Sequence, residues 1–191
     1  MKKFKAIFLI LAIVTTLVFC VWSTVRIVKA VQFGLDCEAY LQRAANANTV
    51  DMAKEELVKA IDYIEKNNLT DEIISIFLKN PANDLSFWYR NIKSAHDELV
   101  NLPEDSTPLE KTNVLMKLRE SLTNNDSNGS TNIIVPQGIT VYPDNVMYFW
   151  WGTLSCAALC VFWTLFIVSL DLEIKTVQTS VQVNTVKRKG K

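Results

Sequence analysis

The sequence predicts a mainly α fold in which two transmembrane helices carry an extracytoplasmic antiparallel helical bundle. Three observations predict it. Two long runs, near either end of the 191 residues, are apolar and uncharged. The charges elsewhere are separated: residues 30–145 hold 18 acidic and 10 basic groups, and the rest of the chain holds 10 basic and 2 acidic ones. Between the two runs, apolar residues recur at helix spacing. Composition excludes other classes. With 49 % hydrophobic and 21 % charged residues, five Gly and five Pro, the chain is neither disordered nor collagenous. Four Cys and one His exclude a disulfide scaffold and argue against a metal site built from protein ligands alone.

Residues 1–29 read as a cytoplasmic N-terminus and first transmembrane helix. Ala6 to Val25 is 20 residues without a charge, enough helix to cross a bilayer core. A cleaved signal peptide is the alternative, since Lys2, Lys3 and Lys5 precede the run and Val28-Lys29-Ala30 resembles a cleavage site. The run is longer than a usual signal core, however, and Arg26 and Lys29 fall where such a site should be neutral, so retention is expected. Residues 146–170 are the second span, 25 residues without a charge. Lys2, Lys3 and Lys5 flank the first span; Lys175, Lys187, Arg188, Lys189 and Lys191 follow the second. The positive-inside bias therefore places both termini in the cytoplasm of a cell (inner) membrane and residues 30–145 outside. Trp22, Tyr148, Trp150 and Trp151 are expected as anchors at the outer interface, where amphipathic rings settle.

Residues 30–123 read as the helical bundle. From Ala30 to Ala45 the first span continues outward through Cys37, Tyr40, Leu41 and Ala44. Thr49 to Asn67 puts Val50, Ala53, Leu57, Ile61 and Ile64 on one face, with Glu55–Lys59 and Asp62–Lys66 pairs exposed and Asn67 and Asn68 as stop residues. A short apolar stretch, Ile73 to Leu78, is expected to add one or two helical turns. Asn83 to Leu102 carries Leu85, Trp88, Ile92, Ala95 and Leu99 at alternating three and four spacing, a core-facing seam that Pro103 ends. Thr107-Pro108-Leu109-Glu110 is a capping box with proline in the first turn, opening a helix with Leu115, Leu118 and Leu122. Each helix has one apolar stripe, so each must pack on others.

Residues 124–145 change character. A polar loop, Asn124 to Ser130, precedes Ile133-Ile134-Val135 and Ile139-Thr140-Val141, with Pro136-Gln137-Gly138 between them. That spacing suits a turn and predicts a short juxtamembrane hairpin or extended pair. Residues 171–191 form a basic cytoplasmic tail, polar with spaced valines, that supports topology and touches anionic lipid, with partner docking as the alternative.

The chemistry-bearing residues do not converge. Asn124, Asp126, Asn128 and Gly129 imitate part of a calcium loop, but the twelfth position is Val135 in place of a bidentate Glu, so a solvated turn is expected. His96, beside Asp97, has no nucleophile at motif spacing, and the carboxylates lie at ordinary helix intervals. No enzyme, cofactor or metal is expected. Cys20, Cys156 and Cys160 lie in the spans as small apolar residues. Cys37 lies above the membrane, and two readings stand: a buried free thiol or an intermolecular disulfide. Three N-x-S/T triplets begin at Asn68, Asn125 and Asn128 and matter only in a eukaryotic secretory pathway. No charge interrupts either span, which argues against a pump or transporter core and leaves a Thr- and Ser-lined pore as a minor alternative.

Small residues recur every fourth place in both spans: Ala12, Thr16, Cys20 and Thr24 in the first, Gly152, Cys156, Cys160 and Thr164 in the second. Such stripes let backbones approach closely in lipid. Paired by depth, Ala12 meets Thr164, Thr16 meets Cys160, Cys20 meets Cys156 and Thr24 meets Gly152. The expectation is that the stripes face each other within one hairpin; packing against another subunit is the alternative.

Asp36-Cys37-Glu38-Ala39-Tyr40-Leu41 and Asn113-Val114-Leu115-Met116-Lys117-Leu118-Arg119-Glu120 resemble stretches of uncharacterised bacterial two-span membrane proteins with an outer helical domain, a resemblance that implies no activity. The layout is also similar to bacterial sensors with a bundle between two spans, but beyond Leu170 only 171–191 follow, so no signalling domain is expected. The expected protein is a non-enzymatic integral membrane protein acting by association: a structural or accessory subunit, or the repeating unit of a homo-oligomer. The alternative is a small sensor or adaptor whose bundle binds a ligand and signals through a partner. Its partners are the bilayer and either copies of itself or another membrane protein, with no nucleic acid.

Overall fold

The computed structural model describes residues 2–70, 74, 80–125 and 131–189. The chain is mainly helical and divides into two compact units: an end unit, from the chain ends up to Val25 and from Met147, and a middle unit, Arg26–Val146.

The end unit is built from two helices, α1 (Lys2–Phe33) and α6 (Asn145–Lys189), both long and apolar enough to cross a membrane. Neither contains proline, and several of their hydroxyls bond back within the helix. Thr16 Oγ1 donates to Ala12 O (2.7 Å), Thr24 Oγ1 to Cys20 O (2.9 Å) and Thr164 Oγ1 to Cys160 O (2.9 Å). A threonine tied back to the preceding turn presents its methyl outward, so the polar atoms add little cost to an apolar environment. The α6 helix does not stop at Leu170 but continues to Lys189.

The middle unit takes the rest of α1, a π-helical turn at Gly34–Glu38, and α2 (Ala39–Ala45), α3 (Val50–Lys66), α4 (Leu85–Val100) and α5 (Pro108–Leu122). Its ends are set by local chemistry. Thr49 caps α3 by accepting from Met52 N, and Asp84 caps α4 by accepting from Phe87 N. The capping box of α5 is present in both directions between Thr107 and Glu110. Asn68 takes φ 53° just past α3, a left-handed position that asparagine tolerates. The core gathers Cys37, Leu41, Leu57, Ile64, Leu85, Ile92 and Leu99, all fully buried. The stretch Ile73 to Leu78 lies outside the described residues except Ile74, which is buried and donates its backbone N–H to Asn83 O (2.9 Å).

The hairpin differs from its expected position. β1 (Thr123–Asn125) follows α5 directly and pairs antiparallel with β2 (Thr131–Ile133), Asn124 opposite Asn132. Ile139–Val141, expected as a strand partner of Ile133–Val135, is instead a 3-10 turn with Ile139 and Val141 buried. The reason is local. Pro136 removes a ladder donor, and Gly138 takes φ 86°, which turns the chain out of any strand. A Cβ on Gly138 would lie 2.9 Å from Asn145 Nδ2, which itself donates to Gly138 O (2.8 Å). The apolar side of this segment thereby packs on the middle unit's core rather than against a second strand.

Candidate functional site

The most developed side-chain arrangement in the end unit is the seam between α1 and α6. Along α1 the residues turned from solvent include the series Phe8, Ala12, Thr15, Phe19 and Trp22; along α6 they include the series Tyr148, Gly152, Ser155, Leu159, Phe162, Phe166, Ser169 and Glu173. Both series alternate steps of three and four, the spacing that keeps one face toward a partner in a left-handed crossing. The two helices run in opposite directions across it. Lys5 is ion-paired with Glu173 at one end. Trp163 Nε1 donates to Thr16 Oγ1 (3.0 Å) further along. Trp22 Nε1 donates to Tyr148 O (2.8 Å) at the other end.

The tightest point is Trp22 on Gly152. A Cβ built on Gly152 would come within 2.3 Å of the indole, so only glycine leaves room for the ring. Phe19 stacks on Trp22 with centroids 5.4 Å apart, and Ser155, buried, turns its hydroxyl back to Gly152 O (3.1 Å). Aromatic mass on α1 fills the groove that small residues open on α6.

The seam uses part of the four-residue stripes. Ala12 is fully buried, Gly152 receives Trp22, and Thr16 accepts from Trp163. Cys20, Thr24, Cys156, Cys160 and Thr164 are exposed, so Cys20 does not face Cys156. The reason is geometric: each four-residue step gains about 40° around a helix with 3.6 residues per turn, so a strict stripe winds off the contact face within three steps. Of the aromatic anchors, Trp22 and Tyr148 belong to the seam, whereas Trp150 is half-exposed and Trp151 packs 6.0 Å from Tyr148. The three-four series Phe8, Ala12, Thr15, Phe19, Trp22 was present in the sequence, but the small-residue stripe overlies it.

In the middle unit the charged residues form local clusters. Glu56 is buried on α3 and takes Arg43 Nη2 at 2.8 Å and Lys59 Nζ at 3.2 Å on one oxygen, while Oε2 has no hydrogen-bond partner among the described residues. As a carboxylate Glu56 carries no apolar signal, although it sits three places after Ala53 and four before Ala60, on the buried face. Tyr89 OH donates to Glu65, and Lys93 Nζ lies 3.1 Å from the same carboxylate. These contacts hold Glu65 below the usual carboxylate range, chiefly through the Tyr89 hydrogen bond, and push Lys93 up to about 12. His96 Nδ1 lies 3.4 Å from Asp97 Oδ1, on the surface. Cys37 is free and fully buried, and burial with Glu38 alongside pushes its thiol up to about 12. A disulfide to a second chain would require this core to open, so the buried-thiol reading fits the fold.

Among the described residues no group of three or more His, Cys, Asp or Glu is placed to hold a metal ion. Two surface grooves flank α3. One, of about 640 Å³, has Asp51, Lys54, Glu104 and Lys111 in its wall; the other, of about 500 Å³, lies beside Arg43, Met52 and Glu56. No family model, curated protein or solved structure matches the chain.

Proposed function

We propose that this chain is a non-enzymatic integral membrane protein of a bacterial cell (inner) membrane that works by association, as a structural or accessory subunit or the repeating unit of a homo-oligomer. In this reading α1 and α6 are its spans, both termini are cytoplasmic, and residues 30–145 form an extracytoplasmic antiparallel bundle with a juxtamembrane hairpin. The observation that carries it is the outer surface of the α1–α6 pair. With the seam filled, Ile10, Leu17, Val21, Leu154, Val161 and Ile167 stay about half exposed or more, and no charge interrupts them. Apolar surface of that extent costs about 25 cal/mol per Å² in water, so lipid or other spans must cover it. The charge separation along the sequence supports the orientation.

Two measurements test the reading. Impermeant thiol labelling of intact cells should modify a cysteine introduced by Asn128→Cys and miss one introduced by Gly190→Cys; the opposite pattern rejects the orientation. Purification in mild detergent with mass measurement of the intact particle should return more than one polypeptide, and a lone chain rejects association.

A further inference from the structure

We infer that α6 carries a second seam, on its exposed face, that pairs in parallel and in register with α6 of a second copy of this chain; this rests on the association reading above. The seam runs Ile167, Leu170, Ile174, Val177, Val181, again in alternating steps of three and four. Each residue sits one place after a member of the α1-facing series, so this face lies about 100° further round the helix. The two faces diverge after the Lys5–Glu173 pair. The α1-facing series continues as polar Thr176 and Ser180, whereas its neighbour stays apolar, with Ile174, Val177 and Val181 all more than half exposed.

That apolar line extends where lipid does not cover it. The helix is unbroken over its 45 residues. At 1.5 Å per residue it measures about 68 Å, more than twice a hydrocarbon core. The part beyond Leu172 therefore leaves the membrane on the axis of the span instead of lying along the surface. Lys175, Gln178 and Gln182 on its other sides fit water, and Val183 is the single apolar residue off the stripe between Glu173 and Val183.

The pattern selects the occupant. Ile167, Ile174 and Val181 hold one heptad position, and Leu170 and Val177 the other, a repeat that packs knobs into holes against a like helix; the spans of identical copies sit at one depth, which makes that pairing parallel and in register. In a parallel pair the flanking positions bring Glu173 near Gln178, with no like charges opposed. Spans of identical copies are already parallel, and Cys156 and Cys160 on the same face are small enough for close approach. The tether of the span raises the effective concentration of so short a coil.

The test uses the full chain in native membranes with Cys20, Cys156 and Cys160 replaced by Ala and Cys37 left in the core. Single cysteines are introduced by Ile174→Cys, Val177→Cys and Val181→Cys, with Thr176→Cys and Thr179→Cys as off-face controls. Mild oxidation should give a two-chain band at 174, 177 and 181, severalfold stronger than at 176 and 179. In the otherwise unaltered protein, Val177→Glu should lower the particle mass in mild detergent by one or more chains. A lone chain without any substitution overturns both the association reading and this seam. Several identical chains with crosslinks at 176 and 179, or with none along the tail, overturn the seam alone. A particle holding an unlike protein, with no crosslink at 177, overturns the second copy as occupant.

Discussion

Trp22 occupies the space that a side chain at position 152 would need: its ring lies within 2.3 Å of where a Gly152 Cβ would be, while its indole N–H reaches Tyr148 O one turn away. One aromatic residue thus couples two adjacent turns of α6, by shape at Gly152 and by a hydrogen bond at Tyr148. The coupling predicts non-additive substitutions. Gly152→Ala should weaken the helix pair by about 1–3 kcal/mol, the usual cost of overpacking. In a Trp22→Leu background the same change should cost much less, because the ring it collides with is gone. Denaturing-detergent titration followed by circular dichroism measures both, and equal costs in the two backgrounds would show that ring and glycine are not coupled.

Cys37 gives the middle unit an alkaline limit. Its folded thiol is pushed from an ordinary 9.0 up to about 12, first by burial and then by Glu38. The folded value is raised, so its contribution is whole below pH 9 and is lost as pH rises toward 12, where an unfolded chain ionises and the folded one does not. Tyr63, raised by burial and by Cys37 and Asp36, acts in the same direction. Chemical denaturation at stepped pH should show stability falling across this window by at most about 1.4 kcal/mol per unit for the thiol. Cys37→Ala should shift the whole curve down through its small cavity yet flatten that slope. An unchanged slope would remove Cys37 from the account. Maleimide should likewise spare Cys37 in the folded protein at neutral pH.

Glu56 anchors α2 to α3. Its carboxylate is buried and binds two cations through a single oxygen. Glu56→Ala should destabilise the middle unit by about 1–3 kcal/mol, since it strips a partner from Arg43 and leaves a hole. Arg43→Ala should cost less: Arg43 is mostly exposed, and Lys59 stays within reach of the same oxygen. The order of the two losses in urea titration is the test, and a larger loss for Arg43→Ala would mean that Lys59 does not compensate.

What the sequence revealed and what it withheld divide along range. Helix starts at Thr49 and Thr107 depend on residues within one turn, so capping chemistry is readable before any fold is known. The apolar periods of α3 and α4 are equally local. Glu56 was missed because a carboxylate on a buried face reveals itself only through Arg43, thirteen places away in another helix. The α1–α6 seam was half legible. The two uncharged runs mark the helices that form it, but its face is chosen by aromatic bulk at Phe19 and Trp22, and small-residue spacing says nothing of bulk. The hairpin was misplaced for a similar reason. Ile133 to Val141 reads as two strand-like triplets, yet the strand that forms is selected by a contact from α4.

That contact leads to the last prediction. Trp88 is buried on α4 and donates Nε1–H to Ile134 O (2.7 Å), and Ile134 N donates to Leu122 O (2.8 Å). The two bonds fix the chain just past β2 against both α4 and the end of α5. A pair of three-residue strands is too short to hold itself in water, so the hairpin depends on this attachment. Trp88→Phe keeps most of the buried ring but removes the donor, which should cost about 1 kcal/mol and release the hairpin before the helices melt. Trp88→Ala also empties the site and should cost about 3–5 kcal/mol. Amide hydrogen exchange separates the two effects. In Trp88→Phe the amides of Ile133 and Ile134 should exchange faster while those of Leu57 and Ile92 keep their protection. Uniform acceleration would mean that Trp88 acts through the core as a whole and not through the hairpin.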